Sequence, residues 1–172
     1  GEDIRPILEQ RAALGFNMLR LWLLNQSVVG QVYPEGIHPN QYPDFYEKVH
    51  WLADLCGSYG FVCEFTAFTS CVPLMPRVED QQAHWNRLQN AVFGLPNVLL
   101  ELVNEYDWGH GENAPDRALW SMRPTGIIAS SGSSTADAPP SEPVWDYVLY
   151  HSNGLSEWQR KVGHNAFDWA EH

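Results

Sequence analysis

Apolar residues along the chain switch between two periods, and the switching is regular enough to suggest an architecture. Over residues 3–14, Ile4, Ile7, Leu8, Ala12 and Leu14 recur at helical spacing, with Pro6 tolerated in the first turn and Gly15 at the stop. Residues 15–24 follow as a nearly continuous apolar run of strand length, the pattern of a strand covered on both faces. The same unit then repeats. A helix is predicted from about 43 to 58 and a strand over 60–68, then a helix over 78–93 and a strand over 98–105. A short helix within 111–122, a strand over 126–131, a strand over 145–150 and an amphipathic helix over 155–172 complete the series. Strands separated by connections of crossover length predict a parallel sheet with helices outside. The Ser- and Pro-rich stretch 130–143 reads as a loop inside this single domain of residues 1–172.

Side chains alternate along a strand, so position parity sorts them into faces. In the first strand Leu19, Leu21 and Leu23 share the side suited to helices, which leaves Met18, Arg20 and Trp22 on the other. In the second, Val62, Glu64 and Thr66 fall on Arg20's side if Cys63 and Phe65 face the helices. In the third, Glu101, Val103 and Glu105 oppose Leu100 and Leu102. Carboxylates and an arginine on the inner side of a buried sheet are costly unless they pair, so Glu64 and Glu101 are expected to partner Arg20 or backbone donors.

Composition narrows the function. The chain has 172 residues, 44% of them apolar, with eight tryptophans and only 18% charged, enough for one globular domain. Ten Lys and Arg against 21 Asp and Glu give a net charge of −11, which repels phosphate backbones and argues against a nucleic-acid partner. No run approaches the roughly 18 apolar residues of a membrane helix, and Gly1-Glu2-Asp3 shows neither a basic leader nor an initiator Met, so the start reads as a processing boundary. Cys56, Cys63 and Cys71 match no zinc-knuckle spacing. They read as buried small hydrophobes, with a single disulfide the alternative.

The sharpest chemical signal is Leu100-Glu101-Leu102-Val103-Asn104-Glu105, followed by Tyr106-Asp107-Trp108. Here the chain resembles the glycoside hydrolases of the large (β/α)8-barrel clan, which includes cellulases, mannanases and β-glycosidases and carries an Asn-Glu pair at the end of barrel strand four. The resemblance implies Glu105 as general acid/base and Asn104 as the amide that orients the sugar 2-hydroxyl. Gly15 to Leu21 looks like the family's strand two, whose Arg, here Arg20, steadies the nucleophile. Tyr59 to Phe68 looks like strand three, and Asp146 to His151 looks like strand six, whose terminal His lies beside the catalytic pair. The match thus runs from helix one to helix six and implies a partial (β/α)8 barrel of about strands two to six. It departs from the family at Ala67-Phe68, where many members carry His, and at Asn153, where many carry an aromatic residue.

Glycoside hydrolysis needs two carboxyl groups, about 5 to 5.5 Å apart in retaining enzymes. The family's nucleophile is a Glu at the end of strand seven. Strands one, seven and eight have no counterpart in these residues, and Glu171 lies on a predicted helix with no strand before it. Glu101, four residues below Glu105, would sit roughly 13 Å deeper at about 3.3 Å per residue, too far to be the second member. The isolated chain is therefore expected to be inactive, although the resemblance implies the fold of a retaining enzyme acting on β-linked glycans. An incomplete barrel also exposes sheet edges, so self-association or a complementing chain is expected.

Trp108, Trp22, Tyr106 and Asn153 are candidate sugar contacts, and His151 a candidate site residue. Trp22, Trp108, Trp120 and Trp145 are equally compatible with packing, as His151 is with a satisfied core histidine. His110 with Glu112 makes too small a ligand set for a metal, and no cofactor is implied. The partner implied is an oligo- or polysaccharide, and the family's usual location is secreted or periplasmic. Two alternatives remain: a non-catalytic carbohydrate-binding protein, and an open doubly wound α/β protein binding a small metabolite. The latter wants a Gly-rich strand–helix loop, and its nearest candidate, Ser131-Gly132-Ser133-Ser134, leads to Pro139-Pro140 instead of a helix.

Overall fold

A computed structural model describes residues 3–24, 38–69, 74–105, 114–134 and 145–150, excepting the side chains of 133, 134 and 148–150. Helix α1 (Arg5–Ala13) leads into strand β1 (Met18–Trp22), α2 (Phe45–Ser58) into β2 (Val62–Phe68), and α3 (Val78–Val92) into β3 (Val98–Val103). Strands β4 (Ile128–Ser134) and β5 (Tyr147–Tyr150) follow. The helix suggested within 111–122 is a 3₁₀ turn, Arg117–Ser121, opened by the Asp116 carboxylate accepting from the Ala118 N–H. The helix suggested over 155–172 lies outside the described residues.

All five strands join one parallel sheet in the order β1-β2-β3-β4-β5. The order decides between architectures. A doubly wound sheet contains a point where strand order reverses, and the described strands contain none. The fold is α/β of the (β/α)8-barrel type, present as five consecutive strands.

Helices α2 and α3 pack on one another and on β2. Their buried residues Val49, Ala53, Cys56, Trp85 and Leu88 share a core with Cys63, Phe65, Leu100 and Leu102, the positions that parity assigns to the helix side. Gly60, at φ 82°, turns the chain from α2 into β2 in a conformation that a Cβ would oppose. Asn97 fastens the same corner, its amide donating to the carbonyls of Ala53 (2.8 Å) and Phe61 (3.2 Å). Trp85 donates to the Met122 carbonyl and stacks on Trp145 with ring centroids 5.9 Å apart, while Trp145 donates to Trp120. Trp120 and Trp145 are thus packing residues.

Two expectations change. Strand β4 continues to Ser134, so the Ser/Pro-rich loop expected from residue 130 does not begin there. The reason is the irregular register between Ser130 and Ser133 against β5, which lets small residues without strand periodicity stay in the ladder. Strand β3 stops at Val103, two residues before the predicted end, so alternation does not determine where Glu105 points.

His84 of α3 is fully buried among α2, α3 and β2. Its Nε2 lies 3.2 Å from the Ala67 carbonyl, an acceptor only, so Nε2 carries the proton and Nδ1 accepts from the Tyr46 hydroxyl at 2.7 Å. Burial pushes its pKa down to about 4 against the Ala67 bond, with Arg87 and His38 adding like charge, and burial raises Tyr46 to about 12. A histidine depressed in the folded state stabilises fully above its ordinary pKa near 6.5, and this stability is lost as pH falls toward 4. Between pH 7.5 and 5 the loss is about 2 kcal/mol. Urea unfolding should show the wild-type margin over His84→Gln shrinking by that amount on acidification; a pH-independent margin contradicts the assignment.

Candidate active site

Strand register assembles the inner face of the sheet. Arg20 of β1 lies level with Glu64 of β2, while Thr66, Glu101, Ser130 and Tyr147 run across β2 to β5 in one row. Arg20 Nε donates to Glu101 Oε2 at 3.1 Å and Nη2 to the same oxygen at 2.5 Å. Nη2 also donates to Asn104 Oδ1 at 3.0 Å, and Nε lies 3.5 Å from Glu64 Oε2. The Thr66 hydroxyl is a further donor to Glu101 Oε2. Glu64 Oε1 accepts from the Tyr147 hydroxyl at 2.6 Å, which also lies 3.3 Å from the Leu100 carbonyl. Glu64 and Glu101 are therefore buried partners of Arg20, as expected from parity.

The charges are not evenly met. Glu101 Oε2 gathers three donors while its fully buried Oε1 has none among the described residues. Burial accordingly raises the Glu101 pKa, against the opposing pull of Arg20 and Thr66. Burial and the neighbouring Glu64 carboxylate likewise raise Tyr147, which stays a neutral donor.

Arg20 carries this inner network to the end of the strands. Asn104 is buried, its backbone N–H still paired with the Phe68 carbonyl at 2.9 Å, and its side-chain oxygen is held by Arg20. One residue later the chain leaves the ladder: half-buried Glu105 sits at φ 47°, a left-handed conformation unusual for a residue with a Cβ. Such strain clusters where a side chain must be aimed. Gly132 supports the turn. A Cβ there would meet the Val103 carbonyl oxygen and Cγ1 at 2.7 Å, so only glycine lets β4 approach the last residue of β3.

The structure thus brings Arg20, Asn104 and Glu105 together at the carboxyl ends of the strands. Trp22 lies on the same inner face and is 42% exposed. Tyr106, Trp108, His151 and Asn153 lie outside the described residues. Tyr147 and Gly132 were not identified as site residues from sequence. Gly132's only cue was its place in a small-residue run, and Tyr147's contact with Glu64 crosses the sheet between strands far apart in sequence. A groove of about 510 Å³ lies elsewhere, between α2 and α3 around Tyr46, His50 and Arg87, so cavity volume alone does not mark this site.

Comparison with known proteins gives the fold a context. No family model and no curated protein matches the sequence. Among solved structures, the chain is similar to a glycoside hydrolase family 5 protein from Bacteroides vulgatus, with 12% identity and a TM-score of 0.55 over 76% of this chain and 31% of that one. It is similar also to a glycoside hydrolase family 5 enzyme from Prevotella bryantii, at 12% identity and TM-score 0.55 over 88% of this chain and 55% of that one. The likeness is one of fold, and the chain spans about a third and about half of these two structures.

Replacing Arg20 by Met leaves two carboxylates on the inner face without their cation, at a cost of about 3 kcal/mol at pH 7. Because burial already raises the Glu101 pKa, the deficit should shrink as pH falls and Glu101 protonates. Urea unfolding at pH 7 and 4.5 tests this, and a deficit that grows on acidification contradicts it.

Proposed function

We propose that this chain forms five consecutive strands of the catalytic barrel of a retaining glycoside hydrolase acting on a β-linked glycan. The observation that carries the reading is the Arg20–Asn104 hydrogen bond, beside a Glu105 turned out of the strand at φ 47°. The glycoside hydrolase family 5 likeness of the fold supports it.

In this reading Glu105 protonates the departing glycosidic oxygen while a second, ionised carboxylate attacks the anomeric carbon. Glu105 then takes a proton from the water that displaces that carboxylate. Asn104 donates its amide to the sugar's 2-hydroxyl while its oxygen is held by Arg20. Trp22 and Trp108 supply stacking faces, and Tyr106, His151 and Asn153 further polar contacts. Glu64 and Glu101 are committed to Arg20, Thr66 and Tyr147, so neither serves as the second carboxylate. That group comes from the strand-seven position of a complete barrel, outside the matched residues.

The same reading has a consequence for assembly. Among the described strands β1 and β5 are the sheet's edges, and the inner face shows Met18, Trp22 and Ile128 at 40%, 42% and 57% exposure. Paired edges and a covered inner face require further strands, from a second copy or a complementing chain.

The test compares this chain with a barrel-complete form on an aryl β-glycoside. The 172-residue chain should self-associate and give no turnover, while Glu105→Gln in the complete form should lower kcat/KM at least about 100-fold. Turnover by the isolated chain, a monodisperse monomer, or an unimpaired Glu105→Gln enzyme contradicts the corresponding part.

A further inference from the structure

A single side chain ties the two ends of the inner face together. Tyr147 opens β5, level with Ser130 of β4. It reaches past β4 and β3 to β2, where its hydroxyl donates to Glu64 Oε1 at 2.6 Å, and the same hydroxyl lies 3.3 Å from the Leu100 carbonyl of β3. Glu64 is buried, and its other oxygen, Oε2, lies 3.5 Å from Arg20 Nε of β1. One buried carboxylate is thus divided between a phenol from one edge of the described strands and a guanidinium from the other. Arg20 is shared in its turn. Its Nε and Nη2 donate to Glu101 Oε2, and Nη2 donates also to Asn104 Oδ1. Without the Tyr147 hydroxyl, Glu64 Oε1 would be a buried acceptor with no hydrogen-bond donor among the described residues, a state that carries the full desolvation penalty of the atom. Arg20 is the cation within ion-pair distance of that carboxylate. Its donors form a rigid planar fork, so turning the fork further toward Glu64 draws Nη2 away from Asn104.

We propose that Tyr147 is a positioning residue: by meeting Glu64 Oε1 it keeps the Arg20 fork turned to Glu101 and Asn104, and so holds the Asn104 amide in its working orientation beside Glu105. The inference rests on the glycoside hydrolase reading above and adds to it a residue that acts through Glu64 and Arg20. The tie has a direction. A phenol that satisfies Glu64 lowers the demand of that carboxylate on Arg20, so the effect of losing the hydroxyl is felt at Asn104, at the other end of the chain of bonds.

The test measures kcat/KM on an aryl β-glycoside in the barrel-complete form, with each variant compared at equal folded fraction. Tyr147→Phe should lower kcat/KM at least about tenfold, the size of one hydrogen bond to a charged group. In an Asn104→Ala background the same change should cost nothing further. Adding Glu64→Met to Tyr147→Phe removes the stranded acceptor together with its donor and leaves Arg20 to Glu101 and Asn104, so most of the loss should be recovered. A residue that only packs would be made worse by a second buried substitution. Where Tyr147→Phe alone does not fold, the double variant carries the test, and it should fold with kcat/KM well above that of Asn104→Ala. Unchanged kcat/KM in Tyr147→Phe, a loss that multiplies with that of Asn104→Ala, or a double variant that is unfolded or as impaired as Asn104→Ala overturns the proposal. Glu105→Gln separates the two claims: if it is impaired while Tyr147→Phe is not, the positioning role alone fails, and if it is unimpaired the glycoside hydrolase reading fails and takes the positioning role with it.

Discussion

Two carboxylates lie buried on the inner face of a parallel sheet, and the Arg20 guanidinium faces both. This pairing is the constraint on which the rest of the site depends. Burying Glu64 and Glu101 costs several kcal/mol per charge unless a cation and hydrogen bonds compensate, and Arg20, Thr66 and Tyr147 supply that compensation. The same guanidinium then reaches Asn104. Whatever holds the carboxylates in place therefore also fixes the amide beside Glu105, so the electrostatics of the inner face and the geometry at the strand ends are one problem.

The architecture explains why charge is tolerated there. In an open doubly wound sheet both faces meet helices, and an Arg–Glu–Glu cluster would displace apolar packing. In a singly wound sheet with order β1 to β5, one face takes the helices and the other faces a barrel interior. The helix side here is correspondingly apolar and closely filled, with Phe65, Leu88, Leu100 and Leu102 fully buried. The inner side is open at Met18, Trp22 and Ile128.

Much of this was legible in the sequence because it depends on local periodicity. Alternation along three apolar runs was enough to put Arg20, Glu64, Thr66 and Glu101 on one face, and the cost of buried charge then predicted their pairing. That the sheet is parallel followed from connection lengths, and the consecutive strand order from the resemblance to a (β/α)8 barrel. What was not legible depends on relations between strands or on backbone shape. The Tyr147–Glu64 bond joins β5 to β2 across the sheet, and no local pattern encodes that meeting. Gly132 matters only because β4 passes close to Val103, and the run of small residues around it resembles a loop when read alone. Glu105 was assigned a face by extending the alternation past the end of β3, whereas its left-handed turn breaks that alternation at the residue where direction matters most.

The central claim is that Arg20 acts on the site through Asn104. The most direct test is a double-mutant cycle in a barrel-complete form, measuring kcat/KM on an aryl β-glycoside for Arg20→Lys, Asn104→Ala and the double variant. Lysine keeps the charge but not the fork of donors. If Arg20 works by holding the Asn104 amide, each single change should lower kcat/KM and the double variant should be no worse than the more impaired single one. Losses that multiply would show that the two residues act independently and would contradict the claim.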